Sequence, residues 1–170
     1  MKSKKNLILL GMMGSGKTTI GSLLSKKLSI KFIDVDREIE NNSKMKIVEI
    51  FKKKGENFFR NLEQEITLKS LNSSNSIIAL GGGAFINENI RKEVLKNNYS
   101  FWLHWSNFIL LNRIKKNNKR PIALNSNNIE LIKLIEKRKK IYSKAEFKIN
   151  CNELTKTEIV KKILKLYEHN

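Results

Sequence analysis

Apolar residues along this chain fall into five short runs, separated by longer stretches in which they recur at helical spacing. Leu7-Ile8-Leu9-Leu10, opened by Asn6, has no polar member, as expected of a strand covered on both faces. Behind it, Ile20, Leu23, Leu24 and Leu28 repeat at the three- and four-residue intervals of one helix face. Lys31-Phe32-Ile33-Asp34-Val35-Asp36 reads as a brief strand, and Arg37-Glu38-Ile39-Glu40 opens a helix after it. Ile47 to Leu71 is helical in pattern, interrupted at Gly55. Ile77-Ile78-Ala79-Leu80 is a second wholly apolar strand, Asn87 to Lys96 a helix, and Ser100 to Trp105 the fourth strand. Phe108 to Lys115 and Ile129 to Ala145 follow as helices, then Phe147-Lys148-Ile149 as a fifth strand. Thr155 to Tyr167 closes the chain as a helix with Ile159, Ile163 and Leu166 apolar. Strands alternating with helices predict an α/β fold on a parallel sheet, and 170 residues suit one domain spanning 1–170.

Between the first strand and the first helix lies Gly11-Met12-Met13-Gly14-Ser15-Gly16-Lys17-Thr18-Thr19. This is the pattern G-x-x-x-x-G-K-S/T in the strand–turn–helix setting that makes it a phosphate-binding loop. Glycines let the backbone wrap a phosphate group, and the helix N-terminus adds partial positive charge. Gly14, Ser15, Gly16, Lys17, Thr18 and Thr19 are therefore the candidate nucleotide ligands, with Lys17 reaching the β- and γ-phosphates and the Thr18 hydroxyl binding Mg²⁺.

Asp34 and Asp36 end the second strand, where ligands of open α/β sheets bind, and alternation puts them on one side if the strand persists. One carboxylate near Mg²⁺ and another near an acceptor hydroxyl is what phosphoryl transfer requires; alternatively, Asp36 simply caps the following helix. Arg60, beside Phe58 and Phe59 and followed by Glu63, either covers apolar surface with its stem or binds an anionic substrate group bidentately. Gly81-Gly82-Gly83 after the third strand marks a tight turn or a close approach to ligand. Asn117 to Leu124 is polar, partly basic and contains the only proline; it is a candidate mobile lid, with Arg120 in it and Arg113 in the preceding helix able to reach a triphosphate. Its competing reading is an exposed basic loop. Phe101, Trp102, Leu103 and Trp105 read as core or helix-packing residues, and His104 as structural or surface. Cys151, the single cysteine, excludes an internal disulfide and reads as an ordinary buried thiol in a reducing cytosol.

The formal net charge of +18 raises a polyanion partner as a possibility. Yet the lysine runs Lys52-Lys53-Lys54, Lys115-Lys116 and Lys137-Arg138-Lys139-Lys140 lack the interleaved aromatics used for base stacking. The charge is better read as compositional, with a nucleoside triphosphate as the anionic partner and no dedicated nucleic-acid partner. No apolar segment approaches membrane-spanning length, and the basic start at Met1-Lys2-Ser3-Lys4-Lys5 precedes only a strand-length apolar run, so no secretory signal and no membrane partner are expected.

Taken in order and spacing, Gly11 to Thr19, Asp34-Val35-Asp36, Gly55-Glu56 with Phe59-Arg60, Gly81-Gly82-Gly83, Arg120-Pro121, and Arg138 followed by Tyr142 and Ala145 resemble shikimate kinases over nearly the whole chain. The resemblance implies a P-loop kinase fold: a five-stranded parallel sheet, order 2-3-1-4-5, flanked by helices, with a mobile lid at about 113–125. It implies transfer of the γ-phosphoryl of ATP to the 3-hydroxyl of shikimate, with Mg²⁺, by a cytoplasmic and monomeric enzyme on the route to chorismate and aromatic amino acids. By the same resemblance Asp36, Lys17 and Arg120 are catalytic, with Asp36 binding the acceptor hydroxyl as base. Asp34 and Thr18 act around Mg²⁺; Arg60 and Arg138 clamp the shikimate carboxylate, with Gly82 adding backbone contacts. Arg120 meets the phosphates and Arg113 lies near adenine. Two departures concern the nucleotide side: Ile122-Ala123 stand where two leucines are usual, and Cys151-Asn152-Glu153 matches the adenine loop loosely. Related readings are a gluconate-type or nucleoside-monophosphate kinase, and, from another class, a nucleotide-gated nucleic-acid-binding protein.

Overall fold

The computed structural model describes residues 5–116 and 126–169. Its strands are β1 (Leu7–Leu10), β2 (Lys31–Asp34), β3 (Ser76–Ala79), β4 (Tyr99–His104) and β5 (Phe147–Asn150). They form one parallel sheet in the order β2-β3-β1-β4-β5, with Leu9 of β1 in register with Ala79 on one side and Phe101 on the other. The central position of β1 explains its lack of any polar residue, since all four side chains are buried between layers. The helices among the described residues are α1 (Lys17–Leu28), α2 (Val35–Ser43), α3 (Ile47–Leu71), α4 (Glu88–Asn97), α5 (Asn107–Lys115), α6 (Asn128–Tyr142) and α7 (Lys156–Glu168). A short 3₁₀ turn covers Ala84–Ile86. Gly55 breaks α3 as the pattern predicts, adopting φ 80° and ψ 171° inside an otherwise helical run.

Of the boundaries that differ from the sequence expectation, three matter to the site. β2 ends at Asp34 rather than running on to Asp36, because Asp34 is itself the N-cap of α2: its carboxylate accepts the Asp36 N–H at 3.1 Å. The cap that the sequence allowed Asp36 is thus filled by Asp34, and Asp36 lies in the first helical turn. β4 stops at His104, leaving Trp105 in the loop before Ser106 caps α5. The long helix α6 ends at Tyr142, three residues before Ala145, with Ser143 at its C-cap.

At the amino ends of the strands, buried Asn6 ties the layers together. Its side chain donates to Ser73 O (2.6 Å) and Asn98 Oδ1 (2.9 Å) and accepts the Ser76 N–H (3.0 Å). The carboxyl ends carry the phosphate loop after β1, the aspartates after β2, the glycines after β3 and Trp105 after β4. That is the edge where open α/β sheets bind ligands.

Candidate functional site

The loop from Gly11 to Gly16 needs backbone that only glycine adopts cheaply. Gly16, the N-cap of α1, has φ 91°, and nothing crowds the position where a β-carbon would stand, so conformation alone selects glycine there. No side chain caps α1, and its first turn holds no acidic residue, while Lys26 and Lys27 occupy its last turn. The helix therefore presents amides and the positive end of its dipole to the loop. Lys17 is 9% exposed and folds its ammonium back over the loop, donating to Gly11 O at 2.8 Å and Met12 O at 3.0 Å.

Beside it, the Thr18 hydroxyl donates to Asp34 Oδ2 at 2.6 Å. A hydroxyl and a carboxylate are the hard oxygen donors that suit Mg²⁺, which keeps several waters and takes phosphate oxygens to complete its shell. The donor set fits that ion; the described residues contain no cluster of three His, Cys, Asp or Glu that would form a full protein cage. A cleft of about 410 Å³ is lined by Lys17, Thr18, Asp34 and Asp36, so phosphate loop and both aspartates open into one space.

The three glycines after β3 have a different origin from Gly16. None of them has a positive φ; what they supply is room. A β-carbon on Gly81 would stand 2.6 Å from Glu63 Oε1 and 3.0 Å from Asp36 Oδ1. On Gly82 it would lie 3.1 Å from Met13 N and 3.7 Å from an Arg138 guanidinium nitrogen, and on Gly83 2.5 Å from an Arg60 guanidinium nitrogen. Three consecutive backbone positions are thus packed by Glu63 and Asp36, then by the Met13 backbone with Arg138 beyond it, then by Arg60. The structure brings together the four predicted acceptor residues Asp36, Arg60, Gly82 and Arg138.

Sequence reasoning noted Glu63 only as a neighbour of Arg60 and gave it no part. It is 3% exposed and takes a charge-assisted bond from Arg60 Nη1 at 2.7 Å, while Arg60 also reaches Glu56 at 3.2 Å. Burial raises the Glu63 carboxyl above its ordinary value, with the nearby Arg60 and Arg138 charges pulling the other way. The available signal was a carboxylate three residues after the arginine on the buried face of a helix. A raised pKa means that the folded state holds this proton more tightly than the unfolded chain. Its stabilising contribution is therefore present at acid pH and lost as pH rises through the elevated value. Glu63→Gln cannot titrate, so the melting temperature of the variant minus that of the wild type is expected to increase as pH rises from below 4.5 toward neutrality. A difference that falls over that range in thermal melts would show that the Arg60 pairing outweighs burial.

Tyr142 was quoted in the sequence motif without a role. Buried to 2% exposure and pushed up to about 12 by that burial, it stays protonated and donates to Gly82 O. The turn of one helix after Arg138 thereby holds the carbonyl of the glycine that Arg138 packs against. Trp105, read as a packing residue, is buried but also donates its indole N–H to Ser15 O of the phosphate loop at 2.9 Å. Arg113, in the last turn of α5, donates to Gly14 O at 3.3 Å. Residues 113–115 of the expected lid thus belong to a helix, while Arg120, Pro121 and the rest of 117–125 lie outside the described residues.

His104 packs edge-on against Trp102 with centroids 4.8 Å apart, and burial together with Lys148 and Lys139 lowers its pKa, as a structural residue would show. The Cys151 thiol is pushed up to about 12 by burial and is chemically quiet. Among the described residues no helix is long and apolar enough to cross a membrane.

The sequence model of the shikimate kinase family matches residues 13–168. A shikimate kinase of Thermodesulfovibrio yellowstonii is 40% identical over 165 residues, which cover 96% of this chain and 95% of the relative. Among solved structures, shikimate kinase from Acinetobacter baumannii in complex with shikimate superposes with a TM-score of 0.92 at 30% identity, over 98% of this chain and 94% of that one. The Aquifex aeolicus shikimate kinase gives 0.86 at 38% identity, covering 96% of both chains.

Proposed function

The chain belongs to the shikimate kinase family, and from that membership we propose the part each residue takes in moving the γ-phosphoryl group of ATP to the 3-hydroxyl of shikimate. The observation that carries the assignment is the run Gly81-Gly82-Gly83, packed by Asp36, Arg138 and Arg60 at the edge of the phosphate loop. A small polyol acid fits such a site: its carboxylate meets two guanidinium groups while a hydroxyl faces a carboxylate next to the nucleotide. The Gly81-to-Gly83 backbone, without β-carbons, forms the floor between those groups.

In this reading Gly14 to Thr19 cradle the phosphates, and the Lys17 ammonium shifts from the loop carbonyls to the β- and γ-phosphates as they enter. Thr18 and Asp34 would hold Mg²⁺, which neutralises phosphate charge when bound. Asp36 accepts the proton of the acceptor hydroxyl, the task that a positioned carboxylate performs in phosphoryl transfer. Arg113, in the last turn of α5, lies on the adenine side, and Arg120, outside the described residues, would meet the phosphates. Arg60 and Arg138 orient the acceptor, with Glu63 and Tyr142 holding Arg60 and Gly82 in place. We extend the proposal to a monomer working in the cytoplasm, in keeping with its single, buried thiol.

The test of acceptor identity is a coupled assay offering Mg-ATP with shikimate, gluconate and nucleoside monophosphates; turnover is expected with shikimate alone. The clamp is tested by Arg60→Lys and Arg138→Lys, since lysine cannot reproduce a planar two-donor fork. Losing a charge-assisted bond to a buried anion costs about 1.5–3 kcal/mol, roughly ten- to over a hundredfold in shikimate affinity. Arg138, 6% exposed, should show the larger loss; Arg60 is one-third exposed and already shared with two glutamates. ATP affinity should hold, and the double variant should be non-additive because one group is served by both. A shikimate analogue lacking the carboxylate should bind weakly and ignore both substitutions. If it binds as well as shikimate, the clamp is wrongly assigned.

A further inference from the structure

We propose that Trp105 is a positioning residue for the nucleotide, one that sets the phosphate loop with its N–H and the base-side arginine with its ring face. The proposal rests on the reading of Arg113 as the adenine-side residue. Trp105 is the first residue after β4, is 6% exposed and belongs to the hydrophobic core, yet it makes two further contacts that core packing does not require. Its indole N–H donates to Ser15 O at 2.9 Å, across 90 residues of sequence, and so anchors the phosphate loop from below. The centre of the Arg113 guanidinium lies 3.8 Å from the indole ring centroid. The same guanidinium donates to Gly14 O at 3.3 Å, and a β-carbon on Gly14 would stand 3.3 Å from Arg113 Cβ. Arginine, tryptophan and loop are therefore one unit, fastened at two successive loop carbonyls.

That unit borders a second cleft of about 750 Å³, lined also by Leu154 and Ile159. A guanidinium lying on an aromatic face is held by the ring quadrupole and by stacking. One of its faces is spent on the indole, and a planar base stacks on the other, giving a base–guanidinium–indole layering. Because the arginine is already ordered, its rotamers need not be fixed at the moment of binding.

The two contacts of Trp105 can be separated. Trp105→Phe keeps an aromatic face and removes the N–H; Trp105→Leu removes both. Binding is measured by calorimetry for Mg-ATP, for Mg-tripolyphosphate, which has the phosphates without the base, and for shikimate. Phe should weaken ATP and tripolyphosphate alike, by roughly fivefold, because a buried carbonyl loses its donor. Leu should weaken tripolyphosphate no further but ATP by roughly another five- to thirtyfold. Shikimate affinity should be unchanged in both, which also reports that the variants are folded. Equal losses for ATP and tripolyphosphate in Leu, or no loss of either in both variants, would overturn the proposal. A destabilised Leu variant does not end the test: Trp102→Phe leaves Trp105 as the sole tryptophan of an otherwise intact protein. Its emission should then respond to Mg-ATP more than to Mg-tripolyphosphate, and an unresponsive emission overturns the proposal too. Arg113→Ala separates this failure from that of the underlying reading: if it leaves ATP affinity untouched, the cleft is not the base site.

Discussion

Lys17→Ala is expected to reduce turnover at saturating Mg-ATP and shikimate by about 10²–10³-fold or more, the range for loss of one preorganised charge-stabilising donor. The ammonium is almost wholly buried and held by Gly11 O and Met12 O, so it stands in the loop before any nucleotide arrives. Phosphoryl transfer leaves the protein little covalent chemistry to do, and positioning with charge neutralisation supplies most of the rate. Alanine removes both at one stroke while leaving the helix propensity of α1 intact. Rapid-quench measurement of a single turnover isolates the chemical step from nucleotide affinity. A rate within tenfold of wild type would remove the phosphate loop from the mechanism.

Asp36→Asn is expected to cut turnover by about 10²–10⁴-fold, the usual worth of general acid–base catalysis, while ATP binding stays near normal. The amide keeps the size of the carboxylate but cannot accept the proton. Because Asp34 caps α2, the stability cost at Asp36 includes no lost cap; its first-turn charge meeting the helix dipole is worth about 0.3–1 kcal/mol. Asp34→Asn is the companion: it disturbs both the cap and the oxygen bonded to Thr18, and so should raise the Mg²⁺ requirement. Activity per folded molecule and the thermal midpoint, read on the same samples, separate the two residues. Unchanged specific activity in Asp36→Asn would falsify its role as base.

The sequence itself determined the layering and the nucleotide half of the site. An unbroken Leu7-to-Leu10 run of strand length followed by Gly11 reads as a strand covered on both faces, and glycines, lysine and threonine at fixed spacing between it and a helical pattern specify a phosphate loop. Those signals are local: each depends on residues within one turn or one strand of each other. The acceptor half was legible only in part. Arg60 stood out beside two aromatics, but its two readings could not be separated along the chain. Asp36 was wrongly allowed the cap of α2, because caps and strand ends differ by one or two residues that only backbone hydrogen bonds settle. Glu63 and Trp105 were passed over as functional residues for one reason: their partners are remote. Glu63 matters through Gly81, 18 residues away, and through Arg138 on another helix. Trp105 matters through a carbonyl 90 residues earlier. The glycine triplet shows the division most plainly. Its sequence announces that something comes close, but its backbone angles are ordinary, so no local conformational need accounts for it. What crowds it is tertiary: Glu63 and Asp36 at Gly81, the Met13 backbone at Gly82 and Arg60 at Gly83 each stand within 3.1 Å of where a β-carbon would be, and contacts between distant elements leave no trace in local propensity.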